Sequence, residues 1–373
     1  MVSQPPFWLT LVAFICALGP LVFFHELGHY LVGRWFGVGA ETFSIGFGRE
    51  ILGWTDKHGT RWKVGWLPLG GYVRFVGDMN PASAQSATDV APELRSKSFH
   101  LKPVWQRFLI VLAGPMANFL LAILILAGFF SFVGAPQSNV VGQVSAGSPA
   151  ERAGLLPGDR VISVAGRSTP SFADLFNVVA LRPNETVTIV SERGTARREV
   201  QVRLGTDKIV DGKQELTRGL LGVRPSMEVG RPVPLTRSVP MAVDYTGRMI
   251  RGTVDGIVQL VRGRISPKYL GGPMKIAKVA GEGASQGLLP FVGLVAMISI
   301  NLGFINLLPV PMLDGGHLFF YVVEAVRRRP VRPETLDWAF RGGLAAILAL
   351  LLFTTANDLG SFGLWESLGR LIG

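Results

Sequence analysis

"LVFFHELGHYLVG", residues 21–33, sets ionisable groups inside an apolar run. The 24 residues ahead of His25 carry no charged side chain, and the first cation, Arg34, comes after the run. Residues 7–32 are enough to cross roughly 30 Å of hydrocarbon as one helix. An ionisable group at that depth costs roughly 2.5–3.5 kcal/mol on insertion scales, so His25, Glu26 and His29 need a binding partner that compensates them. The two imidazoles are four residues apart and share a helical face, where they can hold one Zn2+. Glu26 is then placed to take a proton from water that the metal acidifies to a pKa of about 7. This is the spacing of a metalloprotease helix.

The chain has 373 residues, 48% hydrophobic and 17% charged, too apolar for an ordinary soluble protein. Three further uncharged or nearly uncharged stretches, at 104–133, 289–308 and 336–356, make four candidate spans, with Asp337 and Arg341 near an interface of the last. The net charge of +11 is scattered around apolar runs, with no basic tract interleaved with stacking aromatics, so it reads as topology and not as a nucleic-acid surface. Cys16 is the only cysteine, so neither a disulfide nor a thiolate metal site can form within one chain.

With no basic segment ahead of it, the first span is expected to stay uncleaved with its N-terminus outside. The 33–103 connection and the 309–335 connection, with Arg327, Arg328, Arg329 and Arg332, are expected in the cytoplasm. The 135–288 segment is long enough to be translocated whatever its charge, and should lie outside together with the C-terminus.

Catalytic zinc takes three protein ligands and keeps a position for water. "NLLPVPMLDGGH", residues 306–317, offers Asp314 and His317 as the third, with Pro309 and Pro311 making irregular backbone that could aim either inward. His58 and His100 fall in polar stretches and read as surface residues. In 41–75, "FSIGFGREILGW" and "TRWKVGWLPLGGYVRF" flank a polar turn, "TDKHG", and alternate like a hairpin at a membrane surface. Such a hairpin would either pair with an extended substrate by strand addition or only cover the cytoplasmic mouth of the site. Residues 78–102 read as a polar loop. From Asn139 onward come short strands, a turn at Pro157-Gly158-Asp159 and a helix over 172–180. Across 238–263, Val243, Ile250, Val254, Ile257, Val258 and Val261 follow helical spacing, as in a helix that lies on a membrane or braces the neighbouring domain. The C-terminal 359–373, with Trp365, reads as interfacial.

Taken together, the HExxH in the first span, "GPMANF" (114–119), "GGPMKIAKVAG" (271–281) and "NLLPVPMLDGGH" resemble the site-2 protease family of intramembrane zinc metalloproteases, in its bacterial RseP type. The resemblance implies an α-helical multi-span membrane protein of four transmembrane helices, with a membrane-associated β-hairpin region and an inserted α+β PDZ-like domain. Its implied parts are an N-terminal membrane core (1–137), a PDZ-like domain (138–226), an amphipathic helix and linker (227–288) and a C-terminal membrane core (289–373). It implies Asp314, not His317, as third zinc ligand beside His25 and His29, and Glu26 as the catalytic glutamate. Asn301, Asn306 and Pro309, and Gly46-Phe47-Gly48 in the β-region, would handle substrate. In a circularly permuted PDZ domain, Gly219, Leu220, Leu221, Gly222 and Val223 would form the loop that receives a C-terminal peptide. RseP-type enzymes often carry two such domains, and this sequence shows one.

The implied activity is regulated intramembrane proteolysis in the bacterial inner membrane: cutting single-pass membrane proteins such as a trimmed anti-sigma factor, or clearing remnant signal peptides. The rival from another class is a catalytically silent membrane adaptor with a structural metal. Such a metal would be closed by four ligands and would not need Glu26.

Overall fold

The computed structural model describes residues 5–77, 92–134, 139–211, 214–225, 232–263 and 265–361. Of the expected loop over 78–102, residues 78–91 lie outside them, as does the interfacial segment around Trp365, while Pro92–Lys97 form a short 3-10 helix. The chain divides into two compact units, 1–123 with 275–352 and 124–274 with 353–373.

The first unit is built on helix α1, Phe7–Trp35. Ala13, Ala17, Leu21, His25, His29 and Gly33 recur every four residues and form its buried row. Leu11, Val12, Ile15 and Leu31 face outward, as lipid contact would require. Helix α2, Val104–Phe132, lies against α1 so closely that a Cβ on Gly28 would come within 2.4 Å of the Ala113 carbonyl oxygen. Helix α7, Leu288–Asn306, meets α2 at Gly303, whose missing Cβ would stand 3.1 Å from the Pro115 carbonyl oxygen. A turn over 307–313 leads into α8, Asp314–Arg327, followed by α9, Pro333–Ser361. Among the described residues α1, α2, α7 and α9 are long and apolar enough to cross a membrane. The last runs past its expected 336–356 at both ends; Pro333 suits a first helical position, and Asp337 pairs with Arg341 at 2.9 Å across one turn.

Strands β1, Ala40–Thr55, and β2, Arg61–Phe75, make more than the simple hairpin expected of 41–75. The outer limb pairs Glu50 with Gly65 and Thr55 with Arg61, while the inner limb pairs Ile45 with Gly71 and Ala40 with Phe75. Thr42 to Ile45 also register with Arg61 to Val64, residue numbers rising together. Both strands therefore bend, β1 at Gly46 and Gly48 (φ +83° and +84°) and β2 at Gly70 (φ +132°), conformations open to glycine. The bends fold one hairpin into a sheet four segments wide, with residues 71–75 at one edge. Asp56 ties its turn to α1: the carboxylate accepts hydrogen bonds from the Tyr30 hydroxyl (3.2 Å), the Trp62 indole (2.9 Å) and the amides of His58 and Thr60 (2.8 and 3.0 Å).

The second unit holds a β-rich domain. Strands β3 (Val141–Val144), β4 (Arg160–Val164), β5 (Arg167–Ser168), β6 (Thr186–Arg193), β7 (Ala196–Arg203), β8 (Gly205–Asp211), β9 (Gln214–Leu220) and β10 (Val223–Pro225) form a four-stranded sheet in the order β5-β4-β6-β7 and the pairs β10-β3 and β8-β9. Short α3, Pro149–Arg152, and α4, Phe172–Ala180, complete it, the latter opened by a Ser171–Asp174 capping box. Val161, Val164, Leu175, Ile189 and Leu204 lie in its core.

Helix α5, Leu235–Val261, follows, and α6, Pro273–Ser285, comes next in the chain. The buried residues of α5 are Ser238, Ala242, Thr246, Asp255 and Gln259, while Val243, Val254, Ile257 and Val261 are exposed. Ion pairs set this orientation: Asp255 meets Arg182 and, at 3.0 Å, Arg167, and Arg248 meets Asp174 at 3.3 Å. The helix braces the β-rich domain through its polar side and leaves the apolar side open.

Candidate metal centre

The site begins with the α1 row. Nδ1 of His29 donates to the Ile110 carbonyl of α2 at 2.9 Å, which turns its Nε2 toward His25. The two Nε2 atoms stand 3.3 Å apart. Asp314 Oδ2 approaches them at 3.1 Å from His25 and 3.6 Å from His29.

Asp314 arrives there because the turn before it is sharply folded. Met312 adopts a left-handed φ of +82°, and Gly315 and Gly316 lie with their missing Cβ positions 2.2 and 2.4 Å from the carbonyl oxygens of Leu308 and Val310. Side chains at those two positions would push α8 off the turn that aims its first residue inward.

The arrangement fits a metal by the chemistry of its donors. Asp314 Oδ2 is buried and has no hydrogen-bond donor aligned on it, although two ring nitrogens stand nearby. All three atoms therefore converge on a shared point. Tetrahedral zinc with ligands at about 2.0–2.2 Å has ligand–ligand edges of about 3.3–3.6 Å, and the observed triangle of 3.1, 3.3 and 3.6 Å brackets that length closely. The room is also reserved from the α2 side, because a Cβ on Gly114 would lie 2.2 Å from Nε2 of His29. Among the described residues, His25, His29 and Asp314 are the one cluster of three such side chains.

Glu26, buried beside them, faces β2: a Cβ on Gly71 would come within 3.0 Å of its Cγ. The inner edge of the sheet thus lies against the glutamate.

The other residues singled out in the sequence take varied places. His317 stands outside the cluster, its ring 4.8 Å from that of Phe340. His58 is exposed, but His100 is half-buried with its ring edge-on to Phe99, unlike the surface residue expected. Burial, reinforced by the charge of Arg107, holds its pKa down at about 4. Asn301 lies on α7 and donates to the Met297 carbonyl at 3.1 Å; Asn306 ends α7, and Pro309 is exposed in the turn that delivers Asp314. Phe47 is exposed between Gly46 and Gly48 at the β1 bend and stacks on Tyr72.

In the β-rich domain Gly219 and Leu220 end β9, and Val223 opens β10. The carbonyls of Leu221 and Gly222 accept hydrogen bonds from the amides of Ala150 and Ser145 (2.9 and 2.8 Å). Sequence reasoning gave Gly114 and Asn118 no role. The available signal was an asparagine within a span, where a polar side chain implies a function by default.

Residues 13–350 match the family model described as Peptidase family M50. A Mesorhizobium japonicum protein named provisionally as a zinc metalloprotease is 43% identical over 363 residues, covering 94% of this chain and 98% of its own. Metalloprotease MmpA of Caulobacter vibrioides is 39% identical over 397 residues, covering 98% and 99%. The PDZ domain of an SdrC-like protein from Listeria monocytogenes is 18% identical and covers 24% of this chain and 90% of its own, with a TM-score of 0.20, too slight a likeness to carry an argument.

Proposed function

The chain belongs to peptidase family M50, with relatives named as a metalloprotease or, provisionally, as zinc metalloproteases, and from that premise we propose that it is an intramembrane endopeptidase that cuts membrane-spanning segments of single-pass proteins. The observation that carries the reading is the convergence of His25 Nε2, His29 Nε2 and Asp314 Oδ2 within 3.6 Å inside the helical unit, beside Glu26.

His25, His29 and Asp314 would hold the zinc. Once bound, it supplies a Lewis acid for the scissile carbonyl and a water of near-neutral pKa. Glu26 takes the proton of the attacking water on its carboxylate and returns it to the amide nitrogen as the C–N bond breaks. Its side chain packs against Gly71, on the side where the sheet edge lies.

A peptide bond in a membrane helix is shielded by its own hydrogen bonds, and no water is present to replace them, so the substrate must unwind against protein. In this reading the edge over 71–75 receives the unwound chain by strand addition. The bend at Gly46-Phe47-Gly48 shapes that edge, and Asn301, Asn306 and Pro309 steady the chain near the metal. The PDZ-like domain admits or filters substrates, with Gly219, Leu220, Leu221, Gly222 and Val223 receiving a C-terminal peptide. The substrate classes are trimmed anti-sigma-type proteins and remnant signal peptides. The location is the bacterial inner membrane, with both termini and the PDZ-like domain outside and the active site toward the cytoplasm.

The test is cleavage of a tagged single-span substrate by purified protein in detergent, comparing wild type with Glu26→Gln and measuring zinc per chain in both. Cutting within the span by wild type, and none by a variant that keeps its zinc, supports the reading. If both hold zinc and neither cuts any of a panel of trimmed membrane segments, the protein is a silent adaptor. Proline substitutions along 71–75 that stop cleavage without lowering zinc content would support strand addition over a mere cover.

A further inference from the structure

Ile110, Gly114 and Asn118 recur every four residues on α2 and face the α1 row of His25 and His29. The Ile110 carbonyl takes the Nδ1–H of His29, and Gly114 leaves room for its Nε2. Asn118 is fully buried, and its side-chain amide nitrogen lies 3.2 Å from Nδ1 of His25 while its amide oxygen has no hydrogen-bond partner. Ser299 of α7 fixes the Asn118 backbone by donating to its carbonyl at 2.8 Å.

This polarity conflicts with metal binding. Nε2 of His25 is the atom turned toward His29 and Asp314, so a metal there requires the ring proton on Nδ1, and an N–H needs an acceptor opposite it. A half-turn of the carboxamide exchanges its oxygen and nitrogen with almost no change of shape. The unpartnered oxygen then meets the Nδ1–H.

We propose that Asn118 is a positioning residue of the metal centre: its carboxamide oxygen accepts from Nδ1–H of His25 and fixes the tautomer that leaves Nε2 free for the metal. It does for His25 what the Ile110 carbonyl does for His29. The inference rests on the zinc reading above and adds the residue that selects the tautomer of one ligand.

The test uses the full chain in detergent, stripped with chelator and titrated with Co2+ and, in competition with a chromophoric chelator, Zn2+. Asn118→Leu keeps the bulk but offers no acceptor, and is expected to weaken zinc binding about 10- to 100-fold and alter the visible cobalt spectrum. Asn118→Asp presents only acceptors and is expected to retain the wild-type spectrum and affinity within a few-fold. Wild-type metal binding by Asn118→Leu overturns the proposal. Binding by Asn118→Asp as weak as that of Asn118→Leu also overturns it, because the amide would then be needed as a donor. If Asn118→Leu fails to fold, Asn118→Asp still decides. Failure of the wild type itself to bind either metal would instead count against the zinc reading.

Discussion

The site depends as much on what is missing as on the donors. Gly114 is the sharpest case, because the atom its Cβ would meet is the Nε2 of His29, and that ring is tethered through Nδ1 to Ile110 and cannot swing away. Gly114→Ala is therefore expected to lower zinc affinity by at least tenfold, as loss of a ligand's support does. Gly128→Ala on the same helix, where a Cβ meets nothing within 4 Å, should bind as wild type. Zinc competition titrations on both variants check this. His100 carries a different expectation. Burial, with Arg107 and then His317 adding to it, holds its folded pKa at about 4, below the ordinary value near 6.5. Between those values the unfolded chain binds more protons than the folded one, so stability rises with pH there. Its contribution is complete above about pH 6.5 and is lost as pH falls toward 4. Melting temperatures in detergent should drop over that window, and His100→Gln should shrink the drop. An unchanged slope would mean that other groups carry the acid sensitivity.

At the element scale, polar side chains hold pieces that apolar packing alone would leave loose. Asp255 of α5 sits between Arg182, itself 4% exposed, and Arg167. Removing one partner of a buried pair leaves a charge without compensation, so Asp255→Ala should cost about 3–5 kcal/mol of the second unit's stability. Replacing Arg182 and Asp255 together with apolar residues should recover much of that loss. Unfolding of the full-length variants followed by limited proteolysis at α5 measures both. Asp56 plays the smaller version of this part at the hairpin turn, where it accepts four hydrogen bonds. Asp56→Ala should cost at least about 1 kcal/mol of local stability, seen as roughly fivefold faster amide exchange over 56–62.

At the scale of the whole molecule, the features readable from sequence were those fixed by length and period. An apolar run sets a span because hydrocarbon thickness sets helix length, and the four-residue spacing of His25 and His29 sets a shared face. The bends of β1 and β2 were not readable, since Gly46, Gly48 and Gly70 permit a left-handed backbone without requiring it. Periodicity gave α5 two faces but not the partner for either, and the ion pairs of Asp255 and Arg248 chose the polar one. Likewise the residues alone left Asp314 and His317 open, three positions apart in one turn; the folded backbone around Met312 brings the first to the histidines and turns the second to Phe340. That difference has a consequence for the molecule, because a metal held by His25, His29 and Asp314 joins α1 to α8 across nearly 300 residues of chain. A ligand that binds only the folded form stabilises it by about 2.7 kcal/mol at one hundred times its dissociation constant. Zinc added to chelator-stripped protein should therefore raise its melting temperature, Asp314→Ala should abolish most of the rise, and His317→Ala should preserve it. The opposite result, with His317→Ala losing the rise and Asp314→Ala keeping it, would assign the third ligand to the histidine and require the turn over 307–313 to rearrange when metal binds.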